Sequence, residues 1–316
     1  MSSRVIVALI ILTLLQSVLS LVTYWPSDAT HPVYRPVVAF RPTEITNIDI
    51  SDVAQIQRSA IPVSLARTGP GEWAVTSLDG FPARTDRVQM LLNRLSALKV
   101  QTPISSDPGK HDVLGVGQER YGKKIHLATD TASVTFFVGQ GKGNSIHIRI
   151  DGSDDVYLTH GITAWKISAS PDDYIERIFF EFQPPTLVGL TVRSPADAYQ
   201  LKLENGLFSS PDLPKSQRLK QDTLTHTIQK VSRLVTRQAL GTQRPTGFEP
   251  TEVTTITFQL KDPEQGVYER TLSIGRPQGA LIPVKQSSAP FYGLVSVSGV
   301  KALVNSELEN FIVPER

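Results

Sequence analysis

One spacing constrains this chain more than any other feature: 136 residues separate Asp86 from Asp222, Gly139 from Gly275, and Gly143 from Gly279. The aspartates open two amphipathic helical stretches. The glycines follow two apolar strands and close the turns after them. A shared spacing at a helix and at a turn implies one unit used twice, with each copy covering the other's apolar face. The expected fold class is therefore α+β: an N-terminal transmembrane helix, then two tandem copies of a mainly antiparallel β-sheet unit, each with one amphipathic helix.

Local patterns support that layout. In the first copy Ile45, Ile48 and Ile50 alternate with polar residues. Val63-Ser64-Leu65 and Trp73-Ala74-Val75 flank the turn Gly69-Pro70-Gly71, which is a hairpin signal. Val88, Leu91, Leu92, Leu95 and Leu98 recur at helical period, with Thr85 or Asp86 placed to cap. Strands are expected over 124–128, 133–138, 145–150 and 156–159. In the second copy Leu190 and Val192 stand for Ile48 and Ile50, and Asn205-Gly206 supplies a tight hairpin turn. A helix carrying Leu224, Ile228, Val231, Leu234 and Val235 on one face follows, then strands over 254–260, 270–274, 280–284 and 294–297. Ser170-Pro171-Asp172-Asp173 reads as a helix start and 178–182 as an apolar bridge, with Pro184-Pro185 at the boundary. The expected domains are 1–25, a cytoplasmic tip and signal anchor; 26–43, a Pro-rich tether; 44–165, the first repeat; 166–185, the bridge; and 186–316, the second repeat.

Val5 to Val22 carries no charge and only a few mild polar residues. Eighteen helical residues reach about 27 Å, close to the hydrocarbon thickness of a bilayer. Arg4 precedes the run, and Tyr24 and Trp25 follow it at the place of an aromatic belt. A cleaved signal peptide ending at Val18-Leu19-Ser20 is the alternative, but the run exceeds the usual h-region, which favours an uncleaved anchor. Either way the body is expected outside the cytoplasm: an inner-membrane, single-pass protein held through residues 5–22, with its body periplasmic.

Charge and cysteine content exclude several functions. Thirty-two Lys and Arg against 30 Asp and Glu leave no basic field for nucleic acid. Cysteine is absent, so disulfides, thiolate metal sites and a cysteine nucleophile are excluded.

Trp73-Ala74-Val75, Gly80-Phe81-Pro82-Ala83, the leucine-rich stretch Val88–Leu98, Leu114-Gly115-Val116 and Phe137-Val138-Gly139 occur in this order. In that order they resemble a bacterial family catalogued as domain of unknown function number 4340. Asp173-Tyr174-Ile175-Glu176-Arg177 resembles its step before the second half, with the acid–base order changed. The resemblance implies a membrane-tethered protein associated with an ABC-type export or gliding-motility-like system. It brings no activity and no catalytic residue.

Other constellations reduce to structure. Gly139-Gln140-Gly141-Lys142-Gly143 suggests a phosphate loop, but Ile146-His147-Ile148-Arg149-Ile150 alternates as a strand, so a hairpin turn is expected. Pro277 in the equivalent second loop removes an amide. His126 and His147 lie on neighbouring strands and are expected on the solvated face, without a third ligand at fixed spacing. His160 reads as a turn residue, and Asp154-Asp155 and Asp172-Asp173 as solvated caps. Trp73 reads as core, and Trp165 as a packing residue in a more open setting. Trp165, His126 and His147 are the candidate ligand or partner contacts; no catalytic, cofactor-binding or metal residue is assigned. The expected function is a non-enzymatic accessory subunit, with protein partners in a membrane transport complex. The alternatives are an envelope-polymer or ligand-binding module using the cleft between the repeats, and an unrecognised hydrolase.

Overall fold

The computed structural model describes residues 11–20, 34–58, 60–214, 216–304 and 306–313. Residues 11–20 form helix α1, with Ile11, Leu12, Leu14, Leu15, Val18 and Leu19 exposed. Among the described residues no helix is long and apolar enough to cross a membrane. The remainder of the Val5–Val22 run, and Pro26 and Pro32 of the tether, lie outside them. The last part of the expected tether belongs to the body. There β1 (Arg35–Pro36) pairs with β6 (Lys99–Val100), and Val37 and Val38 are buried.

The body is mainly antiparallel β with a few helices. Its first sheet uses β2 (Asn47–Ser51), β3 (Val63–Gly69), β4 (Glu72–Val75), β5 (Phe81–Pro82), β7 (Lys123–Ala128), β8 (Ser133–Gln140), β9 (Ser145–Ile150) and β10 (Val156–His160). Their order is β10-β9-β8-β7-β2-β3-β4-β5. Short α2 (Val53–Gln57) follows β2, and α3 (Thr85–Ser96) follows β5. The alternation in β2 does what period two requires: Ile48 and Ile50 are buried and face Leu65 and Val63 on one side, Leu127 and Ile125 on the other. Val88, Leu91, Leu92 and Leu95 of α3 are buried, each contributing about 1.5–3 kcal/mol. Neither Thr85 nor Asp86 caps the helix. Arg84 is the N-cap without a side-chain bond, and Asp86 sits inside the first turn, 2.7 Å from the Arg84 guanidinium. Its charge there still favours the helix N-terminus.

The second sheet has the order β11-β15-β19-β18-β17-β16-β12-β13-β14. Its strands are β11 (Ile178–Glu181), β12 (Leu187–Arg193), β13 (Ala198–Glu204), β14 (Leu207–Ser209), β15 (Arg233–Gly241), β16 (Thr254–Asp262), β17 (Gly266–Ile274), β18 (Leu281–Gln286) and β19 (Tyr292–Ser296). Helix α4 (Gln221–Val231) precedes β15, and short α5 (Val297–Val300) follows β19. The β13–β14 turn has Asn205 and Gly206 at φ 53° and 79°, as a tight hairpin requires.

Two expected elements differ. The helix stops at Val231, and Leu234 and Val235 belong to β15, where Leu234 and Thr236 are buried and Val235 is exposed. Pairing with both β11 and β19 outweighs the helical period there. The run over 178–182 is largely β11, an edge strand rather than a bridge. Ser170–Asp173 does start a helical turn with Pro at its first position, but only a single 3-10 turn, Pro171–Asp173.

One continuous hydrophobic core runs under both sheets. At their junction Arg84 N–H donates to Tyr174 O and Glu176 N–H to Pro82 O, both at 2.7 Å, and the Phe81 and Phe291 rings meet at 5.4 Å. The Asp79 carboxylate accepts the Thr242 N–H at 2.8 Å and its hydroxyl at 2.9 Å, which lowers the Asp79 pKa. A smaller cluster of Val116, Phe137 and Val156 lies apart, flanked by Leu114 and Tyr121.

Candidate functional site

Helix α4 buries Leu224, Thr227, Ile228 and Val231, so Asp222, His226 and Lys230 fall at four-residue steps along a different face. They form one wall of an open groove of about 980 Å³. Ser298 and Gly299 of α5, then Lys301, Ala302 and Val304, form the other wall, and Ser306, Asn310 and Phe311 also line it. The chain end is tied to the segment before α4: Lys220 N–H donates to Phe311 O at 2.8 Å, and Val313 N–H to Arg218 O at 2.8 Å.

The groove is amphipathic. Phe311, Val304 and Ala302 give apolar contact, while Lys230 and Lys301 outnumber Asp222 in charge. Its serines are engaged away from His226. Ser306 shares a 2.7 Å hydrogen bond with the Tyr199 hydroxyl, and Ser298 a 2.8 Å bond with Ser296. Burial pushes the Tyr199 phenol up to about 12, against the opposing pull of its bond to Ser306. The arrangement suits noncovalent capture of a mixed apolar and anionic segment.

A second depression of about 480 Å³ lies along α3, between Asp86, Met90, Asn93 and Arg94 on the helix and His160 and Gly161 at the end of β10. Next to it, Arg87, Met90, Arg94 and Lys166 surround a shallow dimple.

The three contacts expected from sequence do not converge. His126 on β7 bonds Thr135 Oγ1 at 2.8 Å, and His147 on β9 bonds Leu114 O at 3.0 Å. Both are half-buried rather than on an open solvated face. Residues 105–122 account for His147, because Leu114 and Val116 of that loop pack over Phe137. His126 opposes Thr135 and His147 opposes Gly139, with β8 between them. At sheet spacings this puts the histidines about 16 Å apart, too far to share a metal ion. Among the described residues no cluster could hold a metal. Trp165 is not a packing residue: it is 73% exposed, with Lys166 Nζ 5.3 Å from its ring centroid. Trp73 is buried as expected. His160 ends β10 and is exposed. Of the paired acids, Asp154 and Asp173 are exposed as expected, whereas Asp155 and Asp172 are partly buried. Asp155 accepts from Ser106 at 2.6 Å and from the Tyr157 hydroxyl at 3.2 Å, and burial raises the Asp172 pKa. The loop Gly139–Gly143 is the expected hairpin connection between β8 and β9.

A family model described as a domain of unknown function (DUF4340) matches residues 73–257, more than half of the chain. The chain belongs to the DUF4340 family. The DUF4340 match runs from β4 through β16 and so takes in both long body helices and the junction. No curated protein and no solved structure matches the chain.

Sequence reasoning missed His226, Lys230 and Lys301 because the groove's second wall comes from residues about 70 positions away. It also passed over Arg87, Met90 and Arg94, although their spacing on one helix face was readable.

Proposed function

We propose that this DUF4340 protein is a non-enzymatic, membrane-tethered docking subunit of an ABC-type transport complex, with its body on the extracytoplasmic side. The α4 groove carries the reading. It is open and amphipathic, which suits a polypeptide segment of a partner better than an enclosed small molecule. The apolar run Val5–Val22 supports the tether.

The test is affinity purification of the full-length chain from detergent-solubilised membranes. Stoichiometric ATPase and permease subunits are expected, and the double substitution Lys230→Glu with Lys301→Glu should lower their recovery about tenfold. Recovery of the chain alone, or with envelope polymer instead, would sink the transport reading.

The body is further read as two diverged copies of one unit. The order β10-β9-β8-β7-β2-β3-β4 parallels β19-β18-β17-β16-β12-β13-β14. In each sheet the helix follows the third strand of the unit, β4 with short β5 in one case and β14 in the other. Val63 and Leu65 face Ile50 and Ile48 as Tyr199 and Leu201 face Val192 and Leu190. The two helix-side depressions use Asp86, Met90 and Arg94 in one unit and Asp222, His226 and Lys230 in the other, at the same 136-residue offset.

A further inference from the structure

Helix α3 turns Val88, Leu91, Leu92 and Leu95 inward. Arg87, Met90 and Arg94, three and four residues apart, run along its outer side. Lys166 reaches the same dimple from the turn Ala164–Lys166. Among the described residues none of these three cations forms an ion pair. Nearby carboxylates are engaged elsewhere: Asp86 with Arg84, and Asp173 with the Ser168 hydroxyl. The dimple encloses only about 20 Å³, too little for a ligand, so its charge is available to a surface rather than a small molecule.

Apolar groups stand beside that charge. Met90 is 46% exposed and Trp165, next to Lys166, is 73% exposed. Unpaired cations next to an exposed Trp and Met suit the boundary between anionic headgroups and acyl chains. The location agrees. Val37 N–H donates to Leu98 O at 3.0 Å and β1 pairs with β6, so the chain coming from the N-terminal apolar run joins the body at the C-terminal end of α3. Arg94 is in the last turn of α3, next to that junction.

We propose that Arg87, Met90, Arg94, Trp165 and Lys166 form a docking face for an anionic bilayer surface, laying the body against the leaflet that holds its tether. This rests on the tether reading above and is independent of the transport partner.

The chain has no cysteine, so Asn93→Cys on α3 accepts a single environment-sensitive fluorophore. The labelled full-length protein is reconstituted into phosphatidylcholine vesicles, with or without phosphatidylglycerol. A blue shift is expected only with phosphatidylglycerol, and it should reverse in high salt. Arg87→Gln, Arg94→Gln and Lys166→Gln should each weaken docking about fivefold; circular dichroism checks that these surface variants stay folded. Equal emission in both lipids, or a shift that survives the triple substitution, overturns the proposal. A shift produced by polyglutamate but not by lipid also overturns it and assigns the face to an acidic protein. Flotation with neutral vesicles reads the tether separately: a chain that fails to float sinks the tether, whereas a floating chain with a silent label sinks only the docking face.

Discussion

Tyr199 links the α4 groove to the core through its bond to Ser306, and its burial makes the link pH-sensitive. Its folded pKa, about 12, lies above the unfolded value near 10. The neutral phenol therefore contributes stability that is complete below about pH 10 and is lost as pH rises toward about 12. Between about pH 9 and pH 12 the parent should lose on the order of 2–3 kcal/mol more than Tyr199→Phe, read by urea denaturation at each pH. Equal losses would show that this phenol carries no such linkage. Arg149 shows what a single residue hides in sequence. It reads as the polar position of an alternating strand, yet it is 3% exposed, stacks on Phe137 and donates to Val116 O at 2.8 Å and Ser153 O at 3.1 Å. Among the described residues its Nη2 has no hydrogen-bond partner, a cost that its other contacts must offset. Gly139 is likewise explained only by the fold, since a Cβ there would strike the Leu114 carbonyl oxygen.

Helices α3 and α4 were legible because an amphipathic face repeats locally. Their energetics follow from that face. Ile228→Ala should cost about 2–4 kcal/mol, while Thr225→Ala on the exposed side should change stability by less than about 0.5 kcal/mol, both measured by thermal unfolding. Similar losses at the two positions would contradict the placement of α4. The C-terminal limit of α4 was misread because Leu234 fits both a helical and an alternating pattern. Strands β11 and β15 settle that ambiguity by pairing with each other, about 50 residues apart in sequence. The Asn205-Gly206 turn was read correctly because its left-handed backbone is a local demand.

Because one continuous core runs under both sheets, they should unfold as one cooperative structure. Phe81→Ala removes the ring that meets Phe291 and should cost about 3–5 kcal/mol. Tryptophan emission, dominated in the body by Trp73 and Trp165, should still melt together with the circular dichroism of both sheets. Separation of the two transitions would show that the halves unfold independently. Phe81, Phe291 and Tyr174 meet at the junction of the two sheets, and the Asp79–Thr242 bonds bridge its exposed edge. Open depressions also lie along α3 and α4.

The sequence by itself determined what depends on near neighbours: most of the strands, the two amphipathic helices and the tight turns, and it also carries the 136-residue spacing between like landmarks. It also exposed the ordered motifs that led to DUF4340. Tertiary structure alone decided the order of strands in each sheet, the end of α4, the burial of Arg149 and the separation of His126 from His147. It also decided that Lys301 and Phe311 would face His226 across a groove. These depend on contacts between distant segments, whose free energy no local pattern records.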